Sequence, residues 1–286
     1  MDKIVVLGNC QLASMGGCLR ALLPQSDIRM FYSWNLKSPE QIGEVIDELQ
    51  TANIVFAQPL FHEYGAEISH TLHTQQDKLQ IWPAFAFTGF HPDITYAMVE
   101  GKLVKSPMDD YHSLIVLGAF LSHLSVDETE QLFNGFIYAR LGYYDEYQRA
   151  KDAMISMALS NGVNLRSSFS EWEQRGCFVY SINHPKLYVI ADIARLVLQR
   201  AELSFDPHLL VEDLFDDPLA TGCVWPVYPE IAKLLNCQGS LEFKHPFSVF
   251  SLREVIAGSF DAYGPLPRGA LSAVAGIDRV VEVLNG

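Results

Sequence analysis

The chain has 286 residues, 49% of them hydrophobic and 19% charged, which is enough for a full hydrophobic core without cross-links. Its 34 Asp and Glu outnumber its 20 Lys and Arg, and the formal charge of −14 argues against nucleic acid as a partner, because phosphate binding needs clustered cations. No apolar stretch reaches the roughly 18 residues of a membrane span, and the N-terminus lacks the basic region of a signal peptide. We therefore expect a cytoplasmic protein with no membrane span.

The N-terminal third of the chain predicts alternating strands and helices. The predicted strands are Lys3–Leu7, Ile28–Trp34, Asn53–Ala57 and Leu79–Phe87. A helix is predicted over Ala13–Leu23, and a second follows the capping box that begins at Ser38 and carries Pro39 at the first helical position. This rhythm is typical of a parallel, doubly wound sheet with helices on its faces, so we predict an α/β fold.

The rest of the chain is predicted to be mainly helical. Predicted helices cover Asp109–Leu124, the stretch from the Ser125 capping box to Ser160 with a break near Gly142, Lys186 to about Ala201, and the segment after the Ser251 capping box. Cys177–Ile182 is predicted as one more core strand. No repeat or linker divides the chain, so we expect a single α/β domain over residues 1–286. Its core would cover about 1–205, and a helical C-terminal elaboration about 206–286.

The cysteines are odd in number and show no C-x-x-C spacing. They are Cys10, Cys18, Cys177, Cys223 and Cys237. A disulfide framework and a zinc ribbon are therefore not expected, and we predict no metal. Cys18, Cys177 and Cys223 lie in apolar or strand contexts and are interpreted as structural.

Cys10 lies in Leu7-Gly8-Asn9-Cys10-Gln11, directly after the first predicted strand and at the entry to a helix. In open parallel sheets, ligands bind beyond the carboxyl ends of the strands. A helix N-terminus also favours the thiolate, which is the reactive form of cysteine. We therefore interpret Cys10 as a candidate nucleophile, while packing in the core remains the alternative.

A thiol nucleophile needs a base, and three of the nine histidines are the main candidates. His184 lies at the end of a predicted strand and just before a helix. His91 also follows a predicted strand and has Asp93 close in sequence, whereas His112 is the weakest candidate unless it contacts a ligand. Gln58 closes the third strand and is a candidate oxyanion donor, or else an ordinary residue of the turn before Pro59.

Several familiar signatures are absent from the sequence. No G-x-G-x-x-G follows the first strand and no G-x-x-x-x-G-K-[ST] occurs, so neither nicotinamide nor P-loop nucleotide chemistry is supported. His70 and His73 lack the i, i+4 spacing of a zinc-binding helix.

Four short segments resemble the family of capsular-polysaccharide acetyltransferases typified by WcbI. They are Gly8-Asn9-Cys10-Gln11, Gly89-Phe90-His91-Pro92-Asp93, Asn183-His184-Pro185 and the region from Trp225-Pro226 to Tyr263. The resemblance covers nearly the whole chain. It implies a flavodoxin-like parallel sheet similar to that of SGNH hydrolases, flanked by helices, with a cysteine where those hydrolases carry serine.

The same resemblance implies coenzyme A or acetyl-CoA as the ligand and O-acetylation of a sugar in a surface, or capsular, polysaccharide. Carried over, Cys10 is the nucleophile and His184 its base. The D-x-x-H-P pattern of the hydrolases is incomplete, since Asn183-His184-Pro185 supplies only the histidine and proline. The orienting acid is therefore not identified.

The binding candidates follow from the chemistry of acyl transfer and from the negative charge of coenzyme A. Candidates for the oxyanion or substrate are Asn9, Gln11, Gln58 and Asn183, and candidates for coenzyme A are Tyr111, His112, Lys105, Arg166 and Lys186. Because coenzyme A is anionic, this acidic chain must offer local cations. Two alternatives stay open: a cysteine-dependent, SGNH-like esterase or thioesterase, and a non-catalytic protein that binds coenzyme A. The oligomeric state and the sugar are not determined.

Overall fold

A computed structural model describes residues 2–285. The strands are β1 (Lys3–Gly8), β2 (Asp27–Tyr32), β3 (Ile54–Ala57), β4 (Leu79–Ile81), β5 (Ile94–Thr95), β6 (Ala97–Val99), β7 (Lys102–Leu103), β8 (His112–Ser113), β9 (Val179–Ser181), β10 (His184–Pro185), β11 (Glu242–His245), β12 (Ser248–Ser251) and β13 (Leu271–Ala273). The helices are α1 (Leu12–Leu22), α2 (Pro39–Thr51), α3 (Phe61–Tyr64), α4 (Ala66–Thr74), α5 (Leu114–Leu121), α6 (Val126–Glu130), α7 (Gly135–Leu141), α8 (Glu146–Ser160), α9 (Arg166–Gln174), α10 (Leu187–Arg200), α11 (Pro229–Leu234), α12 (Leu252–Tyr263) and α13 (Ile277–Asn285).

The chain forms two compact units, each built from three segments. Unit 1 comprises Met1–Ala86, Ala153–Gln174 and His184–Ala220. Unit 2 comprises Phe87–Asp152, Arg175–Asn183 and Thr221–Gly286. The single domain with a boundary near residue 205 stays a prediction.

Unit 1 contains the parallel sheet that the sequence predicts. Its strand order is β2-β1-β3-β4, and each neighbouring pair is parallel. On one face, Val5 and Leu7 of β1 join a buried cluster with Val45 of α2 and Ile68 of α4. Successive strand residues point to opposite faces, so Ile4 and Val6 serve the other face. The predicted α/β class is confirmed.

Local signals set the helix boundaries in unit 1. Ser38 Oγ accepts a hydrogen bond from the Gln41 backbone at 3.3 Å, and Gln41 Oε1 accepts one from the Ser38 backbone at 3.1 Å. This is the predicted capping box of α2. In α1, a Cβ on Gly16 would lie 1.9 Å from Met30 Sδ, so a larger residue there would displace the Met30 side chain that packs between α1 and β2.

Two of the predicted elements have wrong boundaries: the fourth strand and the helix predicted to begin at Asp109. The fourth strand was predicted to reach Phe87, but β4 ends at Ile81. The next backbone N–H, that of Trp82, still donates to the Ala57 carbonyl at 3.0 Å, but Pro83 has no N–H to continue the ladder. The predicted helix from Asp109 begins only at Leu114, because Asp109 has a φ of +57° and Ser113 caps the helix by accepting from Val116 N at 3.1 Å.

Unit 2 is built from short antiparallel ladders and helices. β13, β6 and β7 form a three-stranded sheet, β5 pairs with β8, and β11 with β12. The last part of the chain was predicted as helix and loop, so the β11–β12 hairpin and β13 are a correction. The hairpin turns at Pro246-Phe247, which is not one of the Asn-Gly or Asp-Gly signals that mark hairpins in sequences. The predicted strand over Cys177–Ile182 is also shorter, Val179–Ser181.

No helix among residues 2–285 is long and apolar enough to cross a membrane.

Candidate active site

Cys10 lies in the tight turn that joins β1 to α1, as the sequence predicts. Asn9 Oδ1 accepts a hydrogen bond from the Gln11 backbone at 3.0 Å, and the Asn9 carbonyl accepts one from Leu12 N at 2.9 Å. The Cys10 Sγ lies 3.9 Å from Asn9 Oδ1. The turn therefore presents the half-buried thiol at the carboxyl end of β1, one of the two inner strands of the sheet.

Two fully buried glutamines hold this turn in place. Gln58 Oε1 accepts from Asn9 N at 2.8 Å, and Gln58 Nε2 donates to Gln11 Oε1 at 3.1 Å. Gln11 Oε1 also accepts from Phe85 N at 3.0 Å, while Gln11 Nε2 donates to the Phe85 carbonyl at 2.6 Å. These bonds tie together the segments that follow β1, β3 and β4. Both side chains position the turn, and a direct contact of either one with substrate stays a prediction.

Gly8, Trp82 and Tyr64 complete the support of the turn, and sequence reasoning gave none of them a role. A Cβ on Gly8 would lie 2.7 Å from Trp82 Cζ2 and 3.0 Å from Gln58 Oε1. The Trp82 indole donates to the Leu7 carbonyl at 3.3 Å, and the Tyr64 hydroxyl donates to the Gln58 carbonyl at 3.0 Å. In the sequence, the glycine immediately before the polar turn was the one feature that could have indicated this close packing.

The electrostatic environment of Cys10 differs from the sequence expectation of a stabilised thiolate. Burial raises the pKa of the thiol to about 11, and the carboxylate of Glu63 adds to the increase. The backbone N–H groups of Cys10 and Gln11 act in the opposite direction, as the helix N-terminus predicts, but burial outweighs them. The thiol is therefore protonated at neutral pH and needs a base before it can attack.

His184, Arg166 and Lys186 also belong to unit 1. His184 begins β10 and is half-buried, and burial lowers the pKa of its imidazole. A neutral imidazole can accept a proton, which a general base requires. Lys186 precedes α10, and the exposed Arg166 begins α9. The first backbone N–H of α10, that of Leu187, donates to Asp217 Oδ2 at 2.7 Å.

His91 and Asp93 are both buried in unit 2. Burial lowers the pKa of His91 to about 3, so the ring is neutral. The Asp93 carboxylate accepts hydrogen bonds from Tyr228 Oη at 2.6 Å, Tyr143 Oη at 2.8 Å and Ile115 N at 3.0 Å. Within residues 2–285, no hydrogen bond joins His91 to Asp93. This carboxylate anchors the interior of unit 2, and a catalytic role for the pair stays a prediction.

Tyr111, Asn183 and His112 take part in internal hydrogen bonds of unit 2. The Tyr111 hydroxyl donates to Asn183 Oδ1 and accepts from Ser181 Oγ at 2.9 Å. The buried His112 lies with Nε2 at 2.9 Å from the Val104 carbonyl and with Nδ1 at 2.6 Å from Tyr263 Oη. A carbonyl can only accept, so Nε2 carries the proton and Nδ1 accepts from the tyrosine.

Of the predicted site residues, the structure brings together Asn9, Cys10, Gln11 and Gln58 in one hydrogen-bonded turn. The exposed Lys105 pairs with Asp110 in unit 2, its Nζ 2.9 Å from Oδ1. The roles predicted for Lys105, Tyr111, His112, Arg166, Asn183 and Lys186 stay predictions.

A parallel sheet with a cysteine in the first strand–helix turn defines an α/β protein whose candidate site lies at the carboxyl edge of its strands. The family described as "Polysaccharide biosynthesis enzyme WcbI" matches residues 3–206. The chain therefore belongs to the WcbI family of polysaccharide biosynthesis enzymes, which confirms the resemblance found in the sequence.

Comparison with solved structures gives the same fold. A structure of WcbI, a polysaccharide biosynthesis enzyme, superposes with a TM-score of 0.69 at 14% sequence identity, covering 100% of this chain and 95% of the other. That structure is described as the native protein without a disulfide bond between coenzyme A and one of its cysteines. No curated protein matches the chain significantly.

Proposed function

We propose that this protein is a coenzyme A-dependent O-acetyltransferase that acts on a sugar of a surface polysaccharide. The observation that carries the proposal is the position of Cys10, held by Asn9, Gln11 and Gln58 at the carboxyl edge of the sheet. Family membership supports a role in polysaccharide biosynthesis. The solved WcbI is described as the native protein without a disulfide bond between coenzyme A and one of its cysteines, and this mention of coenzyme A supports it as the ligand here.

In the covalent form of the mechanism, His184 takes the Cys10 proton and the thiolate attacks the acetyl carbonyl of acetyl-CoA. The bond between the acetyl carbon and the sulfur of coenzyme A breaks, and coenzyme A leaves with the proton. The backbone N–H of Cys10, which acts on the thiol, is the proposed donor for the oxyanion, because the Gln11 N–H already donates to Asn9 Oδ1. A sugar hydroxyl then attacks acetyl-Cys10, His184 takes the hydroxyl proton, and the O-acetyl ester forms as the thiol is restored.

Direct transfer uses the same groups without an acyl-enzyme. His184 deprotonates the sugar hydroxyl, whose oxygen attacks the acetyl carbon of acetyl-CoA. The bond between that carbon and the coenzyme A sulfur breaks, and coenzyme A leaves with the proton from His184, while Cys10 lines the site for the thioester. In both forms coenzyme A needs local cations. Lys186 and Arg166, both in unit 1 with Cys10, are the proposed ones.

Calorimetric titration with coenzyme A and with acetyl-CoA tests the proposal. We expect saturable binding. In the covalent form, Cys10→Ala abolishes acetyl transfer and Cys237→Ala does not. Cys237 is a suitable control because it is also half-buried and belongs to unit 2. Absence of binding by either ligand up to about 1 mM would reject the proposal. Mass spectrometry after brief exposure to acetyl-CoA separates the two mechanisms, since only the covalent form gives an acetyl adduct on Cys10.

A cysteine-dependent esterase or thioesterase is the second candidate. The strand–turn–helix presentation of Cys10 favours it, because the nucleophile elbow of hydrolases has the same geometry. Water would then replace the sugar. A transferase releases coenzyme A faster when a sugar acceptor is added, whereas a hydrolase does not respond. A protein that only binds coenzyme A would show no turnover, and Cys10→Ala would retain its affinity.

A further inference from the structure

Three unlike side chains of unit 2 meet at a site outside the Cys10 turn. Cys223 Sγ lies 3.5 Å from Asp109 Oδ2, and His245 Nε2 lies 3.4 Å from the same oxygen. The three candidate ligand atoms all lie within 4.8 Å of one another. They come from segments far apart in sequence, yet a thiol, an imidazole and a carboxylate are the three side-chain types that bind zinc in proteins.

The backbone holds two of these side chains as neighbours. Val224 and Lys244 form an antiparallel bridge with N–O distances of 2.7 Å and 3.0 Å, which places Cys223 beside His245. His245 is further fixed as the last residue of β11, paired with Ser248 of β12. The two ligands are therefore pre-positioned by main-chain hydrogen bonds.

Asp109 is held by a turn of its own. Its N–H donates to the Ser106 carbonyl at 3.1 Å, and its carbonyl accepts from Ser106 N at 2.7 Å. The φ of +57° is a left-handed conformation, in which aspartate and asparagine are over-represented among residues with a side chain. Its side chain is 58% exposed, whereas Cys223 is buried. The site therefore opens to solvent on the carboxylate side, which gives an ion a path of entry.

The two distances to Asp109 Oδ2 fit a tetrahedral ion. With a metal–sulfur bond of about 2.3 Å and metal–nitrogen and metal–oxygen bonds of about 2.0–2.1 Å, tetrahedral angles put S and O about 3.5 Å apart and N and O about 3.4 Å apart. The distances in the protein are 3.5 Å and 3.4 Å. A direct hydrogen bond between imidazole and carboxylate would instead bring N and O to about 2.8 Å.

We propose that Asp109 Oδ2, Cys223 Sγ and His245 Nε2 bind a Zn²⁺ ion, with water in the fourth position. The thiolate and the carboxylate supply two negative charges that neutralise the ion, and the thiol proton passes to solvent on binding. Sulfur and nitrogen donors select zinc over magnesium or calcium, which prefer oxygen. Three protein ligands and one open position are the arrangement that zinc proteins use where the metal binds an exchangeable water.

The experiment uses the full chain, stripped with a chelator and titrated with Co²⁺ and with Zn²⁺. We expect one Co²⁺ per chain, visible-region bands of a tetrahedral site, and a thiolate-to-cobalt charge-transfer band that Zn²⁺ displaces. Cys223→Ser removes the charge-transfer band, and Cys237→Ser, the matched control, retains it. Failure of the wild-type chain to bind Co²⁺ stoichiometrically, or loss of the band in Cys237→Ser alone, would overturn the proposal.

Asp109→Asn is a second test, needed because Cys223→Ser could lose the metal by failing to fold. Asparagine tolerates the left-handed backbone of this exposed position but supplies no negative ligand. We expect its circular dichroism to match the wild type and its Zn²⁺ affinity to fall at least about tenfold, since even outer-shell partners of metal ligands contribute that much. The wild type should gain thermal stability with added Zn²⁺ by mass action, and an equal gain in Asp109→Asn would contradict the site.

Discussion

At the scale of single residues, Cys10 combines the position of a nucleophile with a thiol that burial keeps protonated. With a pKa raised to about 11, its alkylation by iodoacetamide should be slow at pH 7 and should accelerate about tenfold per pH unit as the thiolate forms. Peptide mass spectrometry measures the rate at Cys10, with circular dichroism to verify folding at each pH. A rate that levels off below pH 8 would show that the thiolate is already stable in the folded protein.

Gln58 is the residue whose loss should disturb the turn most directly. Gln58→Leu removes the acceptor for the half-buried Asn9 N–H and the donor to the buried Gln11 side chain. We expect the free energy of unfolding to fall by about 1–3 kcal/mol in urea denaturation. Gln25→Leu is the matched control, because Gln25 is exposed. Equal urea midpoints for the two variants would mean that the hydrogen bonds of Gln58 contribute little to stability.

Asp93 makes stability depend on pH in the direction opposite to a salt-bridged carboxylate. Burial raises the pKa of Asp93 from 3.8 to about 6, against the hydrogen bonds from Ser113, Tyr228, Ile115 and Tyr143. The folded state therefore binds more protons than the unfolded state between these values, so the contribution of Asp93 falls by about 3 kcal/mol as pH rises from about 4 to 6.

Asp93→Asn removes this titration. We expect the unfolding free energy of the wild type minus that of Asp93→Asn to decrease from pH 4 to pH 6 and to stay constant from pH 7 to pH 8. Urea denaturation at each pH measures the difference. A difference that increases with pH would show that the tyrosine hydroxyls stabilise the ionised carboxylate more than burial penalises it.

At the scale of elements, the junction of β1 and α1 depends on the absence of a side chain at Gly8. Gly8→Ala forces a Cβ to within 2.7 Å of Trp82, so we expect a loss of about 1–3 kcal/mol of unfolding free energy. Gly43→Ala in α2 is the control, and we expect it to raise the free energy of unfolding instead. Nothing lies within 4 Å of its new Cβ, so it should stabilise the helix by about 0.5–1 kcal/mol. Thermal unfolding compares them, and a destabilised Gly43→Ala would refute the packing argument.

Elements set by local signals were predictable, and those set by distant contacts were not. The capping boxes at Ser38, Ser125 and Ser251 are confirmed. They were predictable because a capping box depends only on residues within four adjacent positions. β4 ends before Pro83, and what the sequence did not show is that the chain beyond it bonds Gln11 through Phe85, a partner 74 positions away. The Asp109, Cys223 and His245 cluster escaped prediction for the same reason, since no spacing motif can join three separate segments.

At the scale of the whole molecule, the C-terminal third of the chain supplies interior residues of unit 2. Tyr228 binds Asp93, Tyr263 binds His112, and β13 pairs with β6. A chain ending at residue 206 loses all three contacts. We expect it to lack a cooperative urea transition and the aromatic circular dichroism of the full chain. A truncated chain that unfolds at the full-length midpoint would show that these contacts are dispensable.

The division of each unit into three segments governs the order in which a ribosome can complete them. Unit 1 needs residues up to Ala220, and unit 2 needs the C-terminal segment that begins at Thr221. The sheet strands β1 to β4 emerge early, but α10, which packs on α1, follows more than a hundred residues later. The apolar surface of the early strands therefore stays exposed until α10 has been synthesised. Such exposure favours slow folding and binding by chaperones during synthesis.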